Sequence, residues 1–306
     1  MRKGERRMKK QFIFILILII LDLVNAGTWT KIDYPESYST AIYGVQGDKI
    51  VGTYQPEFGG LRGFTFDGTN WETFNHPDAL QSSVTAIDGS NIAGGCSISN
   101  HTYGFIYNGV NWKLLYYPGS RDTSVFGLSG NLVIGSYRIS IPDQPYIRDV
   151  PYIYDLENDT WTNFTKPGVT SLWMEGINGN KILGSYYSNQ KKYNYIYEIT
   201  SDTWTIIPNF PNSLTCQINE ISGDKIVGLY ADQENVYHGF LYDGVNWTTL
   251  DFPDSTSTWI NGIDGDMVVG QYWDEIGHAH GFIYTIPEPM TFLFFGFGVI
   301  LLQKRK

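Results

Sequence analysis

The sequence predicts an all-β fold, a six-bladed β-propeller, and three observations carry that prediction. Six of the nine tryptophans, at positions 29, 71, 112, 161, 204 and 247, recur at spacings of 42, 41, 49, 43 and 43 residues. Within each period, four short apolar runs are separated by Gly-Asp, Gly-Asn or Asp-Gly dipeptides, the chemistry of tight hairpins that need positive φ. The first unit starts at a Trp run with no Gly-Phe run before it, and the last stops at a Gly-Phe run with no Trp run after it. Four antiparallel strands per ~40–45 residues is the period of a propeller blade. Complementary incomplete ends suit a closed ring, since an open stack would need two polar caps.

Taken in order, residues 1–26 read as a secretory signal helix. MRKGERRMKK carries six basic residues, FIFILILIIL is wholly apolar, and Val24 and Ala26 stand at the small-residue spacing of a cleavage site. Ten apolar residues fall short of the ~20 that span a bilayer. The propeller is expected over 27–286, with blades at 36–77, 78–118, 119–167, 168–211 and 212–253. The sixth is composite, with 29–35 adding the outer strand to 254–286. A proline that cannot donate to a ladder closes each Trp run (WTTLDFP). If the Trp run is the outermost strand of a unit, the Gly-Ile-x-Gly run (TWINGIDG) is the innermost, with KIVGLY and GFLYDG exemplifying the two between. HGFLYDGVNWTTLDFP (238–253) and its copies therefore read as a building unit. Export permits a disulfide, but Cys96 and Cys216 fall at non-equivalent steps of different units, so two buried free thiols are expected.

Charge excludes one class of partner. The two ends hold nine of the 21 basic and three of the 31 acidic residues, which leaves 12 and 28 in the propeller, a net charge of −16. Such a domain does not neutralise a phosphate backbone, and nucleic acid is not a partner.

Positions that repeat serve the fold, so function is sought where the copies differ. Five residues before the glycine closing the inner run stand Ile42, Val84, Val125, Met174, Ile218 and Ile260, all apolar. Three before it stand Gly44, Ala86, Gly127, Gly176, Glu220 and Gly262, all small except Glu220. Period-two alternation assigns both sets to the face packed on a neighbouring blade. The opposite face varies: Ala41 and Tyr43, Ser83 and Thr85, Ser124 and Phe126, Trp173 and Glu175, Gln217 and Asn219, Trp259 and Asn261. Trp173, Glu175, Gln217, Asn219, Trp259 and Asn261 make the candidate ligand set at the channel mouth, where indoles stack on a sugar or extended peptide and amides hydrogen-bond it. The plainer alternative is that these side chains only fill a wide channel.

No catalytic constellation is evident. Glu175 is the only acid in the varied set, whereas glycoside hydrolysis takes two carboxyls. His278 and His280 share a face if extended, but no third ligand is indicated, so no metal is expected. No Ser-His-Asp order, P-loop or dinucleotide-binding glycine pattern occurs, and no cofactor is expected.

Two resemblances add to this reading. The turn YDLENDTWTNF (154–164) resembles the Tyr-to-Trp turn of kelch repeats, although only AGG (93–95) carries the Gly-Gly pair of that family. The last twenty residues, PEPMTFLFFGFGVILLQKRK (287–306), closely resemble the PEP-CTERM sorting tail of exported bacterial proteins. The three parts are Pro287, Glu288 and Pro289, then a short hydrophobic helix, then Lys304, Arg305 and Lys306. The resemblance implies recognition by exosortase near the Pro-Glu-Pro and a transient or stable membrane anchor through the C-terminal segment. It also implies a cell envelope of the Gram-negative type, often with exopolysaccharide production. The expectation is an exported, monomeric, non-enzymatic binding module of the cell envelope or extracellular matrix, with a polysaccharide or protein ligand. The alternatives are a secreted propeller hydrolase or lyase acting on extracellular polysaccharide, and a purely structural surface protein.

Overall fold

The computed structural model describes residues 27–140 and 147–287. Among these, 24 strands form six four-stranded sheets and no α-helix occurs. Blade one runs outwards through Ser37–Gln46, Lys49–Pro56, Arg62–Phe66 and Trp71–Phe74. Blades two to five repeat that meander in chain order. The sixth sheet is composite: Ser257–Asp264, Met267–Trp273 and Ala279–Thr285 are completed by Thr28–Ile32. The fold is the six-bladed propeller that the tryptophan spacing predicts. At the two chain ends Trp29 and Tyr284 pack with ring centroids 4.4 Å apart. The expected signal helix at 1–26, the apolar helix of the tail, Glu288, Pro289 and Lys304 to Lys306 lie outside the described residues, and Pro287 is the last one described.

The repeated residues are those the seams between blades need. Ile42, Val84, Val125, Met174, Ile218 and Ile260 are all buried. Several press on the glycine of the Gly-Phe step in the preceding blade. A Cβ built on Gly63 would lie 2.6 Å from Val84, one on Gly104 2.6 Å from Val125, and one on Gly239 2.7 Å from Ile260. Only glycine admits that approach. The seams are further filled by parallel aromatic stacks at 3.7–3.8 Å: Tyr34 on Tyr54, Tyr117 on Tyr137, Phe210 on Tyr230 and Phe252 on Tyr272. Each pairs the ring ahead of a closing proline with the tyrosine of the next blade's second strand, and stacking adds to the apolar area removed from water. Cys96 and Cys216 are buried and unbridged, each in a seam cluster, and burial pushes both thiols up to about 11.

The first strands of successive blades touch one another around the whole ring, so they enclose the channel. Every one of them carries a β-bulge. The register slips between Ile42 and Gly44, Val84 and Ala86, Val125 and Gly127, Met174 and Gly176, Ile218 and Glu220, and Ile260 and Gly262. The residue skipped is Tyr43, Thr85, Phe126, Glu175, Asn219 or Asn261. A bulge leaves its extra residue outside the ladder and re-aims its side chain. Six bulges at one level therefore set six variable side chains around the channel.

Candidate functional site: the central channel

The channel holds a cavity of about 660 Å³, and all six bulge residues line it. Of the sequence-derived set, Glu175, Gln217, Asn219, Trp259 and Asn261 are in the wall. Trp173 is not; its indole is 42% exposed outside the cavity and meets Tyr187 edge-on at 5.7 Å. Phe126, Tyr43 and Tyr237 bring further aromatic surface, and Tyr237 stands edge-on to Trp259 at 5.6 Å. Trp259 also meets Trp273 at 4.8 Å, so this indole is packed in place by two rings.

The amides are partly committed to the ring. Asn219 Nδ2 donates to the Ile260 carbonyl at 2.7 Å and Asn261 Nδ2 to the Ile42 carbonyl at 2.8 Å. Thr85 Oγ1 makes the equivalent bond to the Val125 carbonyl at 3.3 Å. In each case a bulge side chain reaches the carbonyl beside the next blade's bulge. Gln217 Nε2 donates to Asn219 Oδ1 at 3.0 Å and to Glu175 Oε2 at 3.3 Å. What remains free for a ligand is acceptor capacity on Asn261 and on the carboxyls, while the Trp259 Nε1–H is buried in the wall without a partner.

The sequence reading missed two features. The first is Glu220, assigned by strict alternation to the packed face. The bulge one residue earlier breaks that alternation and brings Glu220 into the cavity wall beside Asn219. Its Oε1 accepts the N–H of Ile221 at 2.9 Å. Its Oε2 reaches the preceding blade, 3.3 Å from where a Cβ on Gly176 would sit. Both carboxyls keep a face to the channel while protein crowds every other side. Burial pushes Glu220 up to about 8, with the Ile221 bond pulling the other way. Burial also pushes Glu175 up to about 7, against the positive charge of Lys192. Burial lowers the pKa of Lys192, and the charges of Glu175 and Cys216 oppose that shift. The signal for Glu220 lay in the sequence, as the one large residue in a column of glycine and alanine.

The second feature is a ring of hydrogen bonds at the hairpin end of the channel. The closing glycines Gly47, Gly89, Gly130, Gly179 and Gly265 donate their N–H to Asp264, Gln46, Asp88, Ser129 and Ser222, respectively, at 2.5–3.0 Å. Each acceptor is the residue just before the glycine of the preceding blade. The sixth such bond, from Gly223 to Asn178, is not formed. The seam between blades four and five therefore lacks the hairpin bond and also carries Glu220.

The two histidines of the HAH segment are engaged separately. His278 packs on Tyr38 at 4.5 Å, while His280 bridges Asp33 at 2.8 Å and Asp274 at 3.3 Å. His238 bridges Asp251 and Asp232 in the same way at 2.8 and 3.3 Å. No group of three or more metal-ligating side chains occurs among the described residues.

Six meandering sheets, a bulged inner ring and an enclosed channel define the chain as a six-bladed β-propeller with a cavity at its axis. No family model and no curated protein matches the chain. Solved structures do. A putative TolB from Agrobacterium tumefaciens aligns with a TM-score of 0.53 at 15% identity, over 83% of this chain and 92% of that one. The Aleuria aurantia lectin in complex with Fucα1-6GlcNAc aligns at 0.50 and 13%, over 84% and 99%. TolB from Acinetobacter baumannii aligns at 0.50 and 12%, over 79% of this chain, which spans 65% of that protein's length. At such identities the likeness is one of fold alone.

Proposed function

We propose that this chain is an exported, non-catalytic binding module of the cell envelope or extracellular matrix. In this reading its axial cavity takes part of an extracellular polysaccharide, and its C-terminal segment is sorted by exosortase. The observation that carries the binding role is the cavity itself. Its size falls within the range of small-ligand sites. Aromatic rings and polar groups meet in its wall at positions where the six blades differ. Sugars suit such a wall, because they present apolar ring faces and many hydroxyls. The lectin neighbour, solved with a bound fucosylated sugar, supports the choice of ligand class by fold analogy only. The export and sorting parts rest on the signal pattern at 1–26 and on the Pro-Glu-Pro, apolar and basic sequence at 287–306.

The test is a glycan array with the full chain in detergent, alongside Gln217→Ala, Asn261→Ala and Trp173→Ala. A defined glycan subset is expected to bind, with a loss of about tenfold for each of the first two variants and little change for Trp173→Ala. A blank array, or cavity variants that bind like wild type, overturns the binding reading. The second carboxyl in the channel favours one other function, glycoside hydrolysis. Release of new reducing ends that requires both Glu175 and Glu220 would replace the non-catalytic reading.

A further inference from the structure

The seam of blades four and five breaks the repeat in a specific chemical direction. Five inner strands place glycine or alanine three residues before the closing glycine, where the next blade's backbone leaves little room. A Cβ on Gly176 would meet the Asn219 carbonyl at 2.3 Å, and one on Gly262 the Tyr43 carbonyl at 2.8 Å. The fifth blade places Glu220 there. A carboxyl held among protein atoms is costly unless a cation or several hydrogen bonds meet it. Among the described residues, Glu220 has one hydrogen bond, from the adjacent Ile221 N–H, and no ion pair. Glu175, on the neighbouring bulge, has only the Gln217 amide as a hydrogen-bond partner, and the one positive charge acting on it is that of Lys192, which is itself outside the cavity wall. Among the described residues, no Lys, Arg or His side chain lines the cavity. The other two acids of the wall, Asp88 and Asp264, are spent on the hairpin ring.

The missing partner is therefore a cation that arrives with the ligand. A metal ion fits poorly, because no cluster of three metal-ligating groups forms among the described residues. An ammonium group fits better. It needs few acceptors, and the rings of Tyr43 and Phe126 in the same wall favour a cation near their faces.

Resting on the carbohydrate reading above, we propose that the channel ligand is an amine-bearing sugar, such as the non-acetylated hexosamine units of an extracellular polysaccharide. Glu220 and Glu175, both in the cavity wall, receive its ammonium groups.

Calorimetric titration of the full chain in detergent tests this with three probes: a glucosamine oligomer, its N-acetylated counterpart, and spermidine. The glucosamine oligomer is expected to bind at least about tenfold more tightly than the acetylated one, the scale of one charge-assisted bond. Glu220→Ala and Glu175→Gln should each abolish that preference. Glu220→Ala installs the residue that blade two carries at Ala86, so it keeps a side chain the fold already accommodates. A matching circular-dichroism melt checks that it folds. Equal affinity for the two oligomers overturns the amine inference and leaves the carbohydrate reading standing. Binding of spermidine with neither oligomer overturns the carbohydrate reading and keeps the carboxyl pair as an amine site. Binding of none of the three overturns both.

Discussion

Replacing Glu220 with alanine should stabilise this propeller at neutral pH and not at acidic pH. Burial raises the folded-state pKa of Glu220 from 4.5 to about 8. A carboxyl raised in this way binds more protons folded than unfolded, so its effect is a cost that appears as pH rises. The cost is absent below the unfolded value of 4.5, grows through the interval, and is complete above about 8. Each tenfold change in acidity is worth about 1.4 kcal/mol, so at pH 7 the cost is on the order of 3 kcal/mol. The variant also loses the bond from the Ile221 N–H, worth about 1 kcal/mol. The expected net gain is thus about 2 kcal/mol at pH 7. Near pH 4 the carboxyl is protonated in both states, and the variant should instead be less stable by about 1 kcal/mol. Urea unfolding of both proteins at the two pH values measures this, and the carboxyl ¹³C shift of Glu220 across a pH titration checks the cause. An equal difference at both pH values, or a Glu220 that titrates near 4.5, would refute the reasoning.

Other seams give sharper single-site outcomes. Gly176→Ala drives a Cβ toward the Asn219 carbonyl and should cost about 1–3 kcal/mol, read as a lowered thermal midpoint, whereas Ala86→Gly should change it little. Asp264→Ala removes the acceptor for the Gly47 N–H and should cost about 1 kcal/mol. Hydrogen exchange at Gly47 should then approach that of Gly223, which is expected to be the fastest of the six closing glycines. At His238, burial lowers the pKa, but the hydrogen bonds and charges of Asp251 and Asp232 outweigh it and raise the imidazole above 6.5. Its clasp therefore contributes fully below pH 6.5 and fades as pH rises through the folded value, so His238→Gln should narrow its deficit, at most about 1 kcal/mol, in melts taken on the alkaline side. Mass spectrometry of secreted protein should find residues 290–306 removed, and an intact tail there would contradict sorting-signal cleavage.

What the sequence disclosed and what it hid follow from the same physics. The ring closure was legible because the missing Gly-Phe and Trp runs at the two ends are halves of one sheet, and that inference needs only strand order. The Gly-Phe step was legible as a repeat, and its reason is the side chain of the next blade pressing on the glycine, as Val84 does on Gly63. The face of each inner strand was read with a period of two, which holds only while the ladder is regular. The six bulges break it between the fifth and third residues before each closing glycine. That local slip explains Glu220, which was counted with the packed residues and enters the cavity. Trp173, counted with the lining residues, lies outside the cavity although Gln217 and Trp259 at the same step line it, and the slip does not account for that difference. Bulges are set by pairing with the second strand, so a strand read alone does not reveal them.

The position of the slip also shows how this fold separates support from recognition. Residues on either side of each bulge make the seam, through the buried apolar residue before it and the small residue after it. The bulge residue itself is held by neither, and it differs in all but one pair of blades, Asn219 and Asn261. A mutation there changes the channel wall without opening a seam, except where the side chain has been recruited to bond the next blade, as in Asn219 and Asn261. The fourth and fifth blades depart from this division most. There the small residue has become a carboxyl, the hairpin bond between Asn178 and Gly223 is missing, and the bulge residue is a second carboxyl facing the same space. The cost that burial places on Glu220 falls at one seam out of six, where two carboxyls line the axial cavity. A ring that needed nothing but mechanical closure would gain from glycine at that position, as four of its own blades demonstrate.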